Sequence, residues 1–296
     1  MTSSRGEPAS GNRESHPRLA ASQRKRRSLA LTYALLIILS LTYLAPFAWQ
    51  VSTSVKRLDD VYQVPPRWFA TPEWGNYAKV FETMPFGRYL LNTFLITAAA
   101  VAGQVLSGAL AAYAFARLRW RGRDLCFVLL LSTLMLPHQV LMVPQYVIFK
   151  RLGWIDTYKP LVVPFFLGGS AFYIFLLRQY FLTIPRELEE SAKIDGAGHW
   201  RIFWSIILPN AKPALATVAV LSFIARWHDL LAPVIYLNSF EKFTVSVGLT
   251  AFRSAQVGYV HTLMAAATIA LVPVVVLFFV AQRVFLRGLT LTGGGR

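Results

Sequence analysis

The sequence predicts an all-α integral membrane protein with six transmembrane helices and a cytoplasmic helical hairpin between the fourth and fifth. Three observations carry that expectation. Of the 296 residues, 55% are apolar and 15% charged, with a mean hydropathy of +0.46, whereas soluble domains carry about 25% charged residues. Six stretches hold about twenty mainly apolar residues each, the length that crosses a hydrocarbon core. The 30 Lys and Arg residues stand in short blocks between these stretches, which is how a membrane chain records its orientation. A net charge of +16 spread in this way predicts no nucleic-acid partner, because such binders gather their basic residues on one soluble face. The composition excludes disorder and collagen-like repeats. A single cysteine, Cys126, excludes an intrachain disulfide and a multi-cysteine metal site; it reads as a small buried hydrophobe.

The predicted spans run from Leu29 to Trp49, Leu91 to Ala116, Leu125 to Ile148, Leu161 to Leu182, Pro213 to Tyr236 and Leu263 to Val284. The first follows Arg24-Lys25-Arg26-Arg27 and is too long for a signal-peptide core, with no small-x-small cleavage site after it. It reads as an uncleaved anchor behind a mobile basic tail of residues 1–28. Residues 29–287 then form the membrane domain and 288–296 a short cytoplasmic tail. With the N-terminus inside, the cytoplasmic segments carry 19 basic residues and the external ones 10, so both termini are expected in the cytoplasm. The external segment from Gln50 to Arg88 holds four prolines with Trp68 and Trp74. It reads as packed against the membrane face or a partner. In span three, Pro137 and Pro144 are expected to bend or unwind the helix.

Residues 183–209 read TIPRELEESAKIDGAGHWRIFWSIILP. Pro185 suits a first helical position, and Glu187, Glu189 and Glu190 favour the positive end of the helix dipole. Leu188, Ser191, Ala192 and Asp195 recur at spacings of three and four, forming a face of mainly small residues. Gly196 and Gly198 end this helix. A second amphipathic helix is expected from His199 to Ile207, stopping at Pro209. On these features alone the hairpin could simply join two spans.

The order of residue types in the loop is more specific. Glu190-Ser191-Ala192, three residues, Gly196, nine residues, Ile206, one residue and Leu208-Pro209 resembles the signature loop of ABC-importer permeases. That loop reads Glu-Ala-Ala, three, Gly, nine, Ile-x-Leu-Pro, and only Ser191 departs from it. LMLPHQVLMVPQY followed by LGWIDTY, WHDLLAPVIYL and the terminal AQRVFLRGLTLTGGGR resemble the carbohydrate branch of that family, the maltose-type permeases. His228 stands where that branch usually has Asn. The resemblance covers most of the chain but not the N-terminal tail. It implies that the short helix docks on a separate ATPase, with Glu190, Ala192 and Gly196 at the docking core, Ser191 at a small position and Asp195 beside them. It also implies ABC ATPase subunits, a second and different permease, and an extracytoplasmic solute-binding protein as partners, all within a prokaryotic inner membrane and its lipid. ATP and Mg would sit on the ATPase, so no cofactor is expected on this chain.

Polar groups inside spans are functional candidates by default. Arg226 and Asp229 are three apart and could pair, with His228 between them on another face. They read either as a pathway or gating cluster or as a structural ion pair. Asn92, His138 and Gln139, with Gln104 and Gly168-Gly169-Ser170, could line a pathway for a hydroxyl-rich solute or bridge helices through hydrogen bonds. No phosphate-binding glycine loop, zinc motif or nucleophile constellation is present, so no bond-making chemistry is expected. The leading expectation is import of a sugar or oligosaccharide. The alternatives are a glycerol phosphate or polyol carried by the same machinery, an ion-coupled secondary transporter using Arg226, His228 and Asp229, or a structural scaffold.

Overall fold

The computed structural model describes residues 15–68, 70–255 and 259–292, with side chains described between residues 29 and 282 except at 69, at His138 and at 254–258. All regular elements among the described residues are helical. In chain order they are α1 (Ser15–Ser54), α2 (Leu58–Val61), α3 (Gly75–Thr83), α4 (Phe86–Arg117), α5 (Arg123–Ser132), α6 (His138–Arg151), α7 (Lys159–Phe166), α8 (Ala171–Thr183), α9 (Glu187–Ile194), α10 (His199–Ile202), α11 (Leu208–Asn210), α12 (Lys212–Trp227), α13 (Leu231–Tyr236), α14 (Val245–Ala255) and α15 (Val260–Thr292). Among the described residues, four stretches are long and apolar enough to cross a membrane: Leu29–Ser54, Phe86–Arg117, Lys159–Thr183 and Val260–Gln282. Two further pairs of segments qualify only as bent spans, turning by 106° and 77°.

Helix α4 is the central post, packed against α7, α8 and α12. Its buried face carries Ala100, Gly103, Gly108, Ala109, Ala112 and Ala116, small residues that let helices approach closely where no water drives them together. At one end of the molecule Tyr113 of α4, Leu177 and Phe181 of α8, Ile202, Phe203 and Ile207 of the hairpin and Val218 of α12 form one core. At the other end Val80, Phe86, Tyr89, Val245, Ala265 and Ala266 form a second. The segment from Gln50 to Arg88 lies partly in that second core, since α3 packs on α15 and α4.

Several expected boundaries move. Span three is two helices, because Pro137 pushes Leu136 into extended backbone (ψ 119°) and supplies no N–H to continue the turn. Pro144, the other expected break, lies inside α6. The fourth span is interrupted at Gly168-Gly169-Ser170, and α4 takes up the groups that this break frees. Ser107 Oγ donates to the Phe165 carbonyl at 2.7 Å, and Gln104 Oε1 accepts the Ser170 N–H at 2.9 Å. Irregular backbone survives at membrane depth only when satisfied in this way. Gly169 has φ +58°, and a Cβ there would stand 2.1 Å from Gln104 Oε1. The fifth span ends at Trp227 rather than continuing to Tyr236, and α13 restarts after His228-Asp229-Leu230.

The hairpin's second arm runs through Pro209 to Asn210. A π-helical turn, Phe203–Ile207, precedes the proline, with the Leu208 N–H reaching back to the Phe203 carbonyl. The wider turn accommodates a ring that would clash with the carbonyl four residues earlier in an α-helix. Cys126 is exposed on α5 rather than buried. It shares that helix with exposed Leu125, Val128 and Leu129, an apolar face with no protein cover in the single chain. α1 is similar, with Leu31 and Tyr43 more than 70% exposed. Apolar surface on this scale meets lipid or a partner.

Candidate functional site

The hairpin is held by one side chain from the end of α4. Arg117 donates through Nη2 to the Ile184 carbonyl at 2.5 Å and to the Phe181 carbonyl, satisfying backbone acceptors at the end of α8. Its Nε lies 3.0 Å from Glu189 Oε1 on α9, and the two side chains are 2% and 8% exposed. This contact is one of charge, since neither atom has an aligned hydrogen-bond partner. Arg117 thus joins the ends of α4 and α8 to the first helix of the hairpin. Tyr113 Oη donates to the His199 carbonyl at 3.4 Å and Tyr180 Oη to that of Asn210 at 3.3 Å, fixing the second arm.

The turn between the arms is a Schellman motif. The Gly196 N–H donates to the Lys193 carbonyl at 3.0 Å and the Ala197 N–H to that of Ala192 at 2.9 Å. Gly196 has φ +79°, a left-handed conformation that costs a side-chain-bearing residue about 1–2 kcal/mol. Ala192 and Ala197, the two residues flanking the motif, both pack on the core.

Glu190, Ser191, Asp195 and Gly196 are exposed, as is Pro209, while Ala192, Ile206 and Leu208 are half-buried against the core. The inward face of α9 is therefore Glu189 and Ala192, one helical turn apart. The outward face presents Leu188, Ser191 and Ile194, with Ile194 87% exposed. Trp200 and Trp204 on the second arm are also exposed. Sequence reasoning missed the Arg117–Glu189 pair and the exposed Ile194. A basic residue ending a span beside a loop with three acidic residues was the available signal for the pair.

At the opposite end the polar residues clamp loops. Asn92 is buried, and its Nδ2 donates to the Glu241 and Phe243 carbonyls at 2.8 and 3.0 Å. Asp156, at φ +58°, accepts the Asn238 and Ser239 N–H groups at Oδ1 and the Ser239 hydroxyl and Lys242 Nζ at Oδ2, all between 2.5 and 3.0 Å. These donors hold its carboxyl well below the usual carboxylate range, Lys242 contributing most. Lys56 is buried over the Trp49 ring at 3.9 Å; burial lowers its amine from the ordinary lysine value against the opposing pull of Asp60.

Arg226 and Asp229 do pair, at 3.3 Å. They do so across a helix end, with the Arg226 guanidinium over the Phe165 ring and Asp229 Oδ1 accepting the Ala232 N–H. His228 is exposed and, with Gln50, Trp227 and Ser246, lines a cavity of about 150 Å³. Gln139 is exposed on α6, and the His138 side chain lies outside the described residues. The structure does not gather Asn92, Gln139 and His228 into one site.

Residues 104–291 match the family described as "binding-protein-dependent transport system inner membrane component". The chain is 32% identical over 269 residues to the diacetylchitobiose uptake system permease protein NgcG of Streptomyces coelicolor, covering 89% of this chain and 88% of that one. It is 34% identical over 275 residues to the sn-glycerol-3-phosphate transport system permease protein UgpE of Yersinia pestis, covering 89% and 97%. Among solved structures, a bacterial ABC transporter involved in import of the acidic polysaccharide alginate contains a chain that superposes with a TM-score of 0.77. That chain is 27% identical, with 88% of this chain and 97% of that one covered.

Proposed function

The chain belongs to the inner-membrane component family of binding-protein-dependent ABC importers, as a transport subunit and not an enzyme, and we propose that it is one of two different permeases enclosing a pathway for an oligosaccharide. The observation that carries this reading is the braced hairpin. It leaves Leu188, Ile194, Trp200 and Trp204 exposed in the single chain, and exposed tryptophans are the kind of anchor that hot spots of protein interfaces favour. The hairpin end is the cytoplasmic end, where an ATPase binds ATP and Mg. Closure of two such ATPases moves the hairpin, and Arg117 conveys that movement to α4 and α8. The pathway then opens outward towards a solute-binding protein on the Asn92 and Asp156 side, and hydrolysis resets it. ATP and the binding protein must each favour one conformation for this cycle to run in one direction.

Two features support a saccharide: the resemblance to maltose-type segments and the likeness to permeases of diacetylchitobiose and alginate uptake. Glycerol phosphate is the second reading, favoured by the similarity to UgpE. An ion-coupled mechanism loses support because Arg226 and Asp229 neutralise each other.

Uptake of radiolabelled diacetylchitobiose and sn-glycerol 3-phosphate by cells with and without this chain tests the reading. ATP-dependent accumulation of the saccharide that survives a protonophore is expected. Accumulation of glycerol phosphate alone would move the substrate to the second reading. Accumulation abolished by the protonophore with ATP intact would overturn the mechanism.

A further inference from the structure

A cavity of about 500 Å³ lies between the hairpin and the short loop that follows α4. Arg117, Arg119, Trp120, Arg186, Glu190 and Lys193 line it. Arg117 is already neutralised by Glu189. Arg119, Arg186 and Lys193 make no ion pair among the described residues, and Glu190 offsets one of them. The cavity therefore keeps a surplus of positive charge. Three cations converging on one concavity repel one another unless an anion sits among them.

A second cavity of about 360 Å³ shares Arg119 and Trp120 with the first and extends to Leu125. Leu125 begins the exposed apolar face of α5 that continues through Val128 and Leu129. A path thus leads from a cationic hollow, past an interfacial tryptophan, onto apolar surface. A soluble anion would use only the first part of it; an amphiphile uses all of it. The apolar run of the bent span that α5 opens begins at Leu125, so the hollow beside Arg119 and Trp120 stands at headgroup level. Basic pockets between spans at a cytoplasmic surface suit anionic headgroups, and tryptophan favours the same depth.

We propose that this cavity binds the phosphate headgroup of an anionic phospholipid among Arg119, Arg186 and Lys193, with its acyl chains against α5. The proposal rests on the hairpin end being the cytoplasmic membrane surface. The lipid would cross-link the loop after α4 to α9 at the place where the hairpin must move, making coupling sensitive to the membrane's anionic content.

The complex isolated in mild detergent is reconstituted into phosphatidylcholine bilayers containing a trace of spin-labelled phosphatidylglycerol or spin-labelled phosphatidylcholine. The wild-type complex is expected to immobilise the phosphatidylglycerol label preferentially. Arg119→Gln, at an exposed residue outside the hairpin, should weaken that preference about fivefold, the worth of one basic residue at an anionic surface. Inorganic phosphate at constant ionic strength should leave the preference intact. Equal immobilisation of both labels by the wild type would overturn the proposal. Loss of the preference to inorganic phosphate would assign the hollow to a free anion. An Arg119→Gln complex that keeps the preference but sheds its ATPase would assign it to protein contact. Isolation of the wild type without any ATPase would count against the importer reading, while the lipid comparison would still stand on its own result.

Discussion

Arg117 and Glu189 form a buried pair whose members have different structural duties. Arg117 also satisfies two backbone carbonyls at the end of α8, whereas the ion pair of Glu189 among the described residues is with Arg117. Removing one partner of a buried pair leaves a charge uncompensated, at a cost of about 3–5 kcal/mol, while replacing both with apolar groups costs far less. Glu189→Met and Arg117→Met should therefore each lower the thermal unfolding midpoint of the detergent-solubilised chain. The double variant should fall by less than the sum of the two, and an additive fall would mean that the charges do not interact. Gly196→Asp tests the turn: the variant should insert in the membrane at wild-type level yet lose ATP-driven uptake, because a left-handed non-glycine and a new carboxylate disturb the docking face. Wild-type uptake by this variant would remove the hairpin from the mechanism. Gly196 was legible in the sequence because only a turn explains its place after an amphipathic run. The Arg117–Glu189 pair was not, because its members lie on separate helices that only the packed fold brings together.

At the scale of elements, the long helices followed from the length of their apolar runs and the hairpin from its residue spacing and terminal glycines, and the breaks were seen unevenly. Pro137 was expected to disturb span three and does, whereas Pro144 is absorbed within α6. The end of α12 at Trp227 was hidden, because an apolar run does not reveal where backbone hydrogen bonding lapses. There Trp227 Nε1 donates to the Ala270 carbonyl at 3.0 Å, and Asp229 turns to serve α13. The Asp156 clamp was likewise hidden in a segment read only for its resemblance to other permeases. It joins the loop between α6 and α7 to the loop between α13 and α14, and its behaviour with pH can be stated. The native carboxyl titrates below its unfolded value of about 3.9. Its contribution is therefore complete above that value and is lost only as pH falls through the depressed native one. Trypsin cleavage at Lys242 in right-side-out vesicles should be slow and flat between about pH 5 and 8. Asp156→Asn should make it faster across that whole range. A rise in wild-type cleavage between pH 7 and 5, with trypsin's own pH dependence corrected on an unstructured peptide, would show that another group holds the loop.

Across the whole molecule, the surface asks for company. Helices α1, α5 and α15 expose broad apolar faces, with Leu31, Leu125 and Val280 among the most open residues, and the hairpin adds exposed Ile194, Trp200 and Trp204. The sequence made this legible as membrane character and, through the order of residues 190–209, as membership of a multi-subunit importer. It could not assign pathway residues, because Asn92 and Gln104 look alike in a sequence whether they face a solute or, as in this fold, hold a loop or a helix break. The most direct measurement is affinity isolation of this chain from its native membrane in mild detergent, with partners identified by mass spectrometry. The expected result is a second, different permease together with an ATPase, retained by the wild type and lost when Ile194 on the hairpin face is changed to Asp. Recovery of this chain alone, or an ATPase bound equally well by Ile194→Asp, would contradict a coupling role for the hairpin.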